Sequence, residues 1–345
     1  MSGYFALRES AAWADISSRG RIQVTGEDRV QFVHAMCSND VQSLRPGQGI
    51  RAFFLDVQGH IQADTRIFVS EDHVLIDCEP ERSARLREHL ERFIVMEDVT
   101  LLRHSSPAVA IEGPGADKVA HQVFNIAPPP PQPYSHVHEG GLTTIRTSLT
   151  GQPGLWLIAD GGSADGGSAD GGSNDDERDD GENNSDLAAK LRAAGVAAAT
   201  AEDVLTVRAE NEVPRQGDDF TDSTLPNHIE QAEAISFTKG CYLGQEIVER
   251  VRSRGRINRL LVGVEIETTE LPDPGAVVLW EEKDVGRLTS PVFSPTMERV
   301  MAFAILRREA ASPGTEFTVN GRRGRVRSRN TDRERLEREV LVGSE

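Results

Sequence analysis

The sequence predicts an α+β fold that ends in a compact all-β domain. Two observations support this prediction. Through most of the chain, adjacent strand-like segments are interrupted by amphipathic helices and do not alternate regularly with them. From residue 260 onwards, short apolar segments are separated by Gly, Pro and Asn turns, which is typical of a small barrel or sandwich. The length of 345 residues is enough for roughly two or three domains.

Alternation of polar and apolar residues predicts the strands of the N-terminal part. These strands are residues 21–25, 51–55, 61–69 and 74–76. Apolar residues at helical spacing predict two helices, residues 27–36 and residues 81–93. In the second of these helices, Leu86, Leu90 and Phe93 are expected to face the core.

Two further helices are predicted in the second half of the chain. The pattern of residues 187–194 predicts a helix that ends at Gly195. Thr200 and Asp203 have the spacing of a capping box, so the next helix is expected to begin there and to reach Glu210.

Composition marks two breaks in the chain. Residues 128–133 (PPPPQP) form a stiff, extended stretch. Residues 160–186 contain ten acidic residues and one arginine, a net charge of −9, and such a segment is expected to remain a disordered insertion. The predicted domains are residues 1–127 (α+β), 128–255 (α+β, with the acidic insertion) and 256–345 (β-barrel).

The charge and the cysteine content exclude several classes of protein. The chain has 38 basic and 55 acidic residues, a formal net charge of −17, and only four of the basic residues are lysine. A nucleic-acid-binding surface would need a basic face, so no nucleic-acid partner is expected. Such acidity favours a halophilic protein, because salt screens repulsion between surface charges. Three cysteines suggest no disulfide framework, and no apolar run of about 18 residues is present. We therefore expect a cytoplasmic protein without a membrane partner.

The segment 239–246 (KGCYLGQE) carries the strongest chemical signal. Cys241 is expected in a loop that leads into a helix, because apolar residues after Gly244 fall on one helical face. The helix dipole and the cation of Lys239 would both favour a thiolate there, and Gly240 and Gly244 permit positive φ. The alternative is an inert cysteine in a tight turn. No C-x-x-C or H-E-x-x-H spacing is present, so no metal site is predicted.

Two carboxylates are further candidates. Asp64 lies in the middle of a predicted strand, where it either pairs with a cation or a ligand amine or is simply exposed. Glu210 falls at the predicted C-terminal end of a helix, where the dipole disfavours negative charge by about 0.3–1 kcal/mol. Donors from solvent or from a ligand must offset that cost. A carboxylate that accepts two parallel N–H bonds can hold the aminopyrimidine edge of a pterin.

Together these segments resemble the aminomethyltransferase (glycine cleavage T-protein) superfamily. Within it, they are most similar to the YgfZ-type folate-binding proteins of iron–sulfur cluster assembly. The YgfZ branch carries a string like KGCYLGQE, whereas T-proteins carry a string like KGDFIGR without the cysteine. The resemblance covers nearly the whole chain apart from the acidic insertion. It runs through residues 15–18, 24–41, 44–49, 55–64, 208–220, 239–246 and 285–306.

The resemblance implies a GcvT/YgfZ-like multi-domain fold, in which a ring of three domains surrounds a central tetrahydrofolate pocket and the last domain is a β-barrel. Residues 1–127 would form part of the folate-binding domain. By position, Glu210 matches the glutamate that holds the pterin. Asp64 matches the second member of an acidic pair near the reactive folate nitrogens, and Ala63 replaces the first member.

The resemblance also implies the remaining site residues. Tyr242 and Gln245 join Glu210 and Asp64 as the candidate cofactor-binding residues. The candidate catalytic residues are Cys241, Lys239 and Asp64.

The function that the resemblance implies is tetrahydrofolate binding in iron–sulfur cluster assembly or repair. The expected partners are reduced folate and iron–sulfur assembly proteins or client enzymes, and the chain is expected to be a monomer. The alternative is the aminomethyltransferase of glycine cleavage, an enzyme that transfers a one-carbon unit to tetrahydrofolate. Ala63 weakens this alternative, because a carboxylate at that position helps to protonate and position the amine.

Overall fold

The computed structural model describes residues 2–160, 180–229, 231–254 and 257–328. The helices are α1 (Gly3–Glu9), α2 (Arg29–Met36), α3 (Pro80–Glu91), α4 (Ala116–Phe124), α5 (Asp180–Ala193), α6 (Ala201–Glu210), α7 (Pro226–Ile229) and α8 (Gln245–Arg254). Most of the predicted acidic insertion lies outside the described residues, but its last residues, from Asp180 onwards, begin helix α5. No helix in the described part is long and apolar enough to cross a membrane.

The strands form three sheets. The strands are β1 (Ala12–Asp15), β2 (Gly20–Thr25), β3 (Gln48–Leu55), β4 (Ile61–Val69), β5 (Val74–Cys78), β6 (Thr100–Arg103), β7 (Ala108–Glu112), β8 (His136–Glu139), β9 (Leu142–Arg146), β10 (Gly154–Ala159), β11 (Ala197–Ala198), β12 (Arg259–Ile266), β13 (Val277–Trp280), β14 (Lys283–Leu288), β15 (Val292–Ser294), β16 (Arg299–Arg307), β17 (Glu316–Val319) and β18 (Arg322–Val326). The first sheet has the order β3-β4-β5-β2-β6, and the second has the order β11-β1-β7-β10-β9-β8.

The third sheet is the predicted C-terminal barrel. Its strands follow the order β12-β18-β17-β13-β14-β16, and pairing of β12 with β16 closes it. Strand β15 is an appendage on β16. The second sheet crosses the predicted boundary at residue 128, because β1 and β7 lie before it and β8, β9 and β10 lie after it. Chain order therefore does not separate the first two sheets.

Side chains along each strand of the first sheet point alternately to its two faces. One face, with Val24, Ile67 and Ile76, packs into a core that includes Leu86 and Leu90 of α3, as predicted. The predicted burial of Phe93 is wrong: α3 ends at Glu91, and Phe93 is 36% exposed. Because successive side chains in a strand point to opposite faces, the other face of this sheet is free to present the side chains of the candidate site.

A buried ion pair joins α6 to the barrel. The carboxylate of Asp219 accepts hydrogen bonds from the Arg208 guanidinium (2.5 Å), from the backbone N–H of Arg215 (2.8 Å) and from the Thr289 hydroxyl (2.8 Å). Ser290 donates a fourth hydrogen bond. The side chain of Asp219 is inaccessible to solvent and that of Arg208 is 3% exposed. All acceptor positions of this carboxylate are therefore satisfied within the protein.

The same network continues into the first sheet. Glu79 accepts hydrogen bonds from Arg19 (2.7 Å) and Arg215 (2.8 Å). Burial alone would raise the pKa of Glu79, but the two guanidiniums outweigh it and lower the pKa to about 2. Arg215 and Arg208 both contact Asp218 as well, at 3.2 and 3.1 Å. A continuous chain of ion pairs thus links the sheet, the segment after α6 and α6 itself.

We expect Asp219→Asn to lower the free energy of unfolding by about 3 kcal/mol, because it leaves the buried charge of Arg208 poorly compensated. Urea unfolding would measure the change. The matched control is Glu88→Gln, which breaks an exposed pair with Arg92 (67% exposed on both sides) and should cost less than about 1 kcal/mol. Equal effects of the two substitutions would contradict the role assigned to Asp219.

Candidate functional site

Glu210 lies at the C-terminal end of α6, as predicted. The helix begins with the predicted capping box, in which Thr200 and Asp203 each accept a hydrogen bond from the other's backbone N–H. The Glu210 carboxylate is almost completely buried. One of its oxygens accepts hydrogen bonds from the Tyr4 hydroxyl (2.6 Å) and the Ser294 hydroxyl (2.5 Å), and the other accepts one from the Arg8 guanidinium. Glu210 therefore joins α1, α6 and the barrel.

Two arginines offset the cost of this carboxylate at a helix C-terminus. Arg8 forms a salt bridge with it, and Arg327, at the end of β18, donates hydrogen bonds to the carbonyls of Ala209 (3.2 Å) and Glu210 (2.9 Å). Burial and the nearby negative charge of Glu210 raise the pKa of Tyr4. Donors from solvent or a ligand were expected here, but the protein itself supplies them.

The geometry leaves limited room for another donor on Glu210. A carboxylate has about four lone-pair positions, and three of them are occupied. Tyr4 and Ser294 are buried, whereas the Arg8 side chain is 26% exposed. Both positions that a ligand can use lie on the oxygen that Arg8 binds: one is open, and the other becomes free when Arg8 moves into solvent.

Asp64 lies in the middle of β4, as predicted, and is paired with a cation. Arg51, on the neighbouring strand β3, donates from Nε to one carboxylate oxygen (2.9 Å) and from Nη2 to the other (2.6 Å). The side chains of Arg51 and Asp64 are 12% and 15% exposed. Such a bidentate pair fixes the plane of the carboxylate and leaves roughly half of its acceptor capacity for another donor.

Gln216, which was not among the predicted site residues, also contacts Asp64. The Gln216 side chain accepts a hydrogen bond from the backbone N–H of Asp64 (2.8 Å) and donates to the carbonyls of Ile61 and Gln62, both at 3.3 Å. Its side-chain amide therefore satisfies backbone hydrogen-bonding groups of β4 that no neighbouring strand in the described part of the chain pairs with at this point. Gln216 is 3% exposed. The sequence alone does not show that this amide is buried or that its partners lie on β4.

Lys239 is bound to backbone carbonyls of a distant part of the chain, and its predicted activation of Cys241 stays a prediction. The ammonium of Lys239 donates to three backbone carbonyls in the last turn of α2 and the loop after it, those of His34, Cys37 (2.7 Å) and Asn39 (2.9 Å). These three bonds use all three of its protons. Burial lowers the pKa of Lys239. Lys239 therefore fastens the 37–39 loop to the segment that precedes Cys241.

Cys241 is exposed, and it lies in the loop before α8 as predicted. Gly240 and Gly244 both have positive φ, of 98° and 82°. At Gly244 a Cβ atom would also lie 2.6 Å from the carbonyl oxygen of Asp56, so the turn between β3 and β4 packs directly on this loop. The side chain of Gln245 accepts a hydrogen bond from the backbone N–H of Tyr242 (3.3 Å) and so helps to start the helix.

Tyr242 carries a buried hydroxyl. The residue is 8% exposed, and its hydroxyl forms no hydrogen bond within the part of the chain that the structure describes. Burial, together with the negative charge of Glu249, raises the pKa of Tyr242 to about 12. An unpaired buried hydroxyl costs about 1–3 kcal/mol, so this group is suited to a polar ligand.

Hydrogen bonding places the predicted site residues in three groups. Glu210 belongs to the junction of α1, α6 and the barrel, Asp64 belongs to the first sheet with Arg51, and Lys239 and Cys241 belong to the loop before α8. Two surface clefts, of about 330 and 370 Å³, lie on the barrel, and none of the predicted site residues lines them. Among the described residues, no cluster of His, Cys, Asp and Glu side chains could hold a metal ion.

Comparison with known proteins agrees with this architecture. The family model for the GCVT N-terminal domain matches residues 3–154, and the model for the glycine cleavage T-protein C-terminal barrel domain matches residues 259–333. An aminomethyltransferase from Geobacillus kaustophilus is 25% identical over 342 residues, which cover 94% of this chain and 86% of the relative.

Two further relatives extend the comparison. A putative chloroplastic transferase of Arabidopsis thaliana is 24% identical over 88% of this chain and 67% of its own length. The crystal structure of the glycine cleavage system aminomethyltransferase T from Bartonella henselae superposes with a TM-score of 0.81 at 19% identity. It covers 94% of this chain and 87% of the Bartonella chain, and it shows that the two proteins share a fold.

Two matched substitutions test the hydroxyl assignments. Tyr242→Phe should leave the free energy of unfolding unchanged or raise it by up to about 1 kcal/mol, because no hydrogen bond is lost. Tyr4→Phe should lower it by about 1–3 kcal/mol, because it removes the bonds to Glu210 and to Thr296 (2.7 Å). Urea unfolding measures both. A loss for Tyr242→Phe as large as that for Tyr4→Phe would mean that its hydroxyl has a partner in the unliganded protein.

Proposed function

The chain belongs to the glycine cleavage T-protein (GcvT-like) superfamily, and on this basis we propose that it binds tetrahydrofolate and acts in one-carbon transfer of the aminomethyltransferase type. The observation that carries this proposal is Glu210. It is a buried carboxylate at a helix end, and one of its three donors, Arg8, is exposed enough to give way to a ligand. Relatives along nearly the full chain are named aminomethyltransferase, which supports the same conclusion.

The residues of the site fit a reduced pterin. After Arg8 leaves, the Glu210 oxygen that it binds would accept charge-assisted hydrogen bonds from the aminopyrimidine edge, while Tyr4 and Ser294 keep the other oxygen. Tyr242 has a buried hydroxyl without a hydrogen-bond partner among the described residues, and a polar ligand group would satisfy it. Asp64, held in plane by Arg51, would accept a hydrogen bond from an N–H group of the ligand. When bound, tetrahydrofolate would supply the nitrogens that carry a one-carbon unit.

A second candidate function has a specific observation in its favour. Cys241 is the exposed cysteine among the three, and it stands in the KGCYLGQE segment that resembles the YgfZ type. Ala63 stands where T-proteins carry the first carboxylate of the acidic pair. These features favour a tetrahydrofolate-binding protein of iron–sulfur cluster assembly or repair, whose partners would be assembly proteins or client enzymes.

Calorimetric titration with tetrahydrofolate tests the site. We expect wild type to bind and Glu210→Gln to lose about tenfold or more in affinity, because a neutral amide forms weaker hydrogen bonds with the donor edge of the pterin than a carboxylate does. Gln42→Ala, on an exposed turn, is the control and should bind like wild type. Retention of full affinity by Glu210→Gln would reject Glu210 as the pterin-holding residue.

Cys241→Ala separates the two functions. If the protein is a transferase, purified Cys241→Ala should form methylene-tetrahydrofolate from an aminomethyl carrier protein within about threefold of wild type, because this thiol lies outside the Glu210 and Asp64 groups. If the protein serves iron–sulfur clusters, wild type should show no such turnover, and cells with Cys241→Ala should lose iron–sulfur enzyme activity. Normal iron–sulfur activities in those cells would reject the second function.

A further inference from the structure

Arg51 contacts more than Asp64. While Nε and Nη2 bind the two oxygens of Asp64, Nη1 donates to the side-chain oxygen of Gln231 (2.5 Å) and to the carboxylate of Glu233 (3.1 Å). The guanidinium lies 5.8 Å from the ring centre of Phe53. Burial would lower the pKa of Arg51, but the carboxylates of Asp64 and Glu233 outweigh burial and raise it. One side chain therefore connects the first sheet to the segment that begins at residue 231.

That segment continues directly to Cys241, and it is attached to the rest of the protein along its length. Asn39 donates from its side chain to the Glu233 carbonyl (2.8 Å), and Ser38 donates from its hydroxyl to the Ala234 carbonyl (2.6 Å). The backbone N–H of Ser236 donates to the Ser38 carbonyl (2.9 Å). Lys239 binds the carbonyls of the same loop. Arg51 holds the first residues of this segment, and Lys239 holds the last.

Arg51 can bind Asp64 and the segment that begins at residue 231 at the same time because of the shape of its side chain. A guanidinium presents its donors in a rigid plane, so it can bind a carboxylate along one edge and another acceptor along a different edge at the same time. A lysine ammonium at this place would act as a point charge and could not fix both partners in one plane. Because Arg51 is 12% exposed, water competes weakly with these bonds.

We propose that Arg51 is a positioning residue that assembles two parts of the site at once. One edge orients Asp64 towards the folate, and the other edge fixes residues 231–239, and with them the place of Cys241. The first half of this inference rests on the proposed folate site. The second half rests on the contacts of Arg51 with Gln231 and Glu233 and does not require the folate site.

Substitutions of Arg51, Asp64 and Gln231 separate the two sets of contacts. Arg51→Ala removes both sets, Asp64→Asn weakens the pairing of the guanidinium with Asp64, and Gln231→Ala removes its main contact with the segment that begins at residue 231. Arg45→Ala is the control, because Arg45 is exposed and lies just before the same strand. Tetrahydrofolate affinity is measured by calorimetry. The position of Cys241 is monitored by its rate of alkylation with iodoacetamide, since Cys37 and Cys78 are buried.

The expected results differ for each edge. Arg51→Ala should lose about tenfold in tetrahydrofolate affinity and gain about threefold in alkylation rate. Asp64→Asn should lose affinity at an unchanged alkylation rate, and Gln231→Ala should gain alkylation rate at an unchanged affinity. Arg51→Lys should recover at most one of the two properties, because its ammonium cannot serve both edges. A simple loss of stability would move both properties together in every variant.

The outcomes also distinguish this inference from the proposed function. If Arg51→Ala and Gln231→Ala are alkylated at the rate of Arg45→Ala, the inference is overturned, even if folate affinity falls. If wild type retains no tetrahydrofolate, the proposed function fails, and the alkylation rates alone decide whether Arg51 fixes the Cys241 segment. Should Arg51→Ala fail to fold, Gln231→Ala and Asp64→Asn still test the two edges one at a time.

Discussion

The carboxylate of Asp219 is shielded from solvent and surrounded by four donors, and the arrangement of the candidate site depends on it. Through Arg208 it holds α6, and through Thr289 and Ser290 it holds the barrel. Arg208 and Glu210 lie two residues apart on the same helix, so the pair that anchors α6 also fixes where the Glu210 carboxylate points. Breaking one partner of such a pair is costly because the other is left charged in a poorly hydrated place.

This dependence explains why polar groups are so numerous between the sheets and the barrel. Each buried charge needs a partner, and the partner is supplied by a different element: Arg19 from the start of β2, Glu79 from the start of α3 and Arg215 from the segment after α6. Buried pairs are also screened little by salt, in contrast to surface pairs. The alignment of the three parts is thus set by specific pairings, and apolar packing then fills the space between them.

Local signals in the sequence predicted local features well. The Thr200–Asp203 capping box and the end of α6 at Glu210 were correct, because both depend on residues within one or two turns of a helix. Gly240 and Gly244 were correctly expected to permit positive φ, and regularly spaced turns correctly predicted an all-β C-terminal domain, which is a closed barrel. Each of these features is decided by neighbours in the chain, so a single sequence contains the necessary information.

Features that depend on distant partners were missed or assigned wrongly. Lys239 is two residues from Cys241 in sequence, which suggested that its cation favours a thiolate there, but its ammonium donates to carbonyls some 200 residues earlier in the chain. The partner of Asp64 is Arg51. A strand pattern reveals neither this pairing nor the further contacts of Arg51 with Gln231 and Glu233. The second sheet also mixes strands from both sides of residue 128, because pairing depends on the whole fold and not on chain order.

The environment of Glu210 shows how such a site can be both stable and able to bind. Without a ligand, Arg8 offsets the buried charge, so the folded protein does not carry an unpaired carboxylate. Tyr4 and Ser294 are enclosed and cannot leave, whereas Arg8 can move into water at little cost because its side chain is already 26% exposed. Any ligand that takes its place must offer hydrogen-bond donors of its own, since an acceptor or an apolar group would leave the carboxylate unsatisfied. The protein's own pairing of Glu210 therefore favours donor-rich ligands over acceptor-rich ones, before any contact with Asp64 or Tyr242 is made.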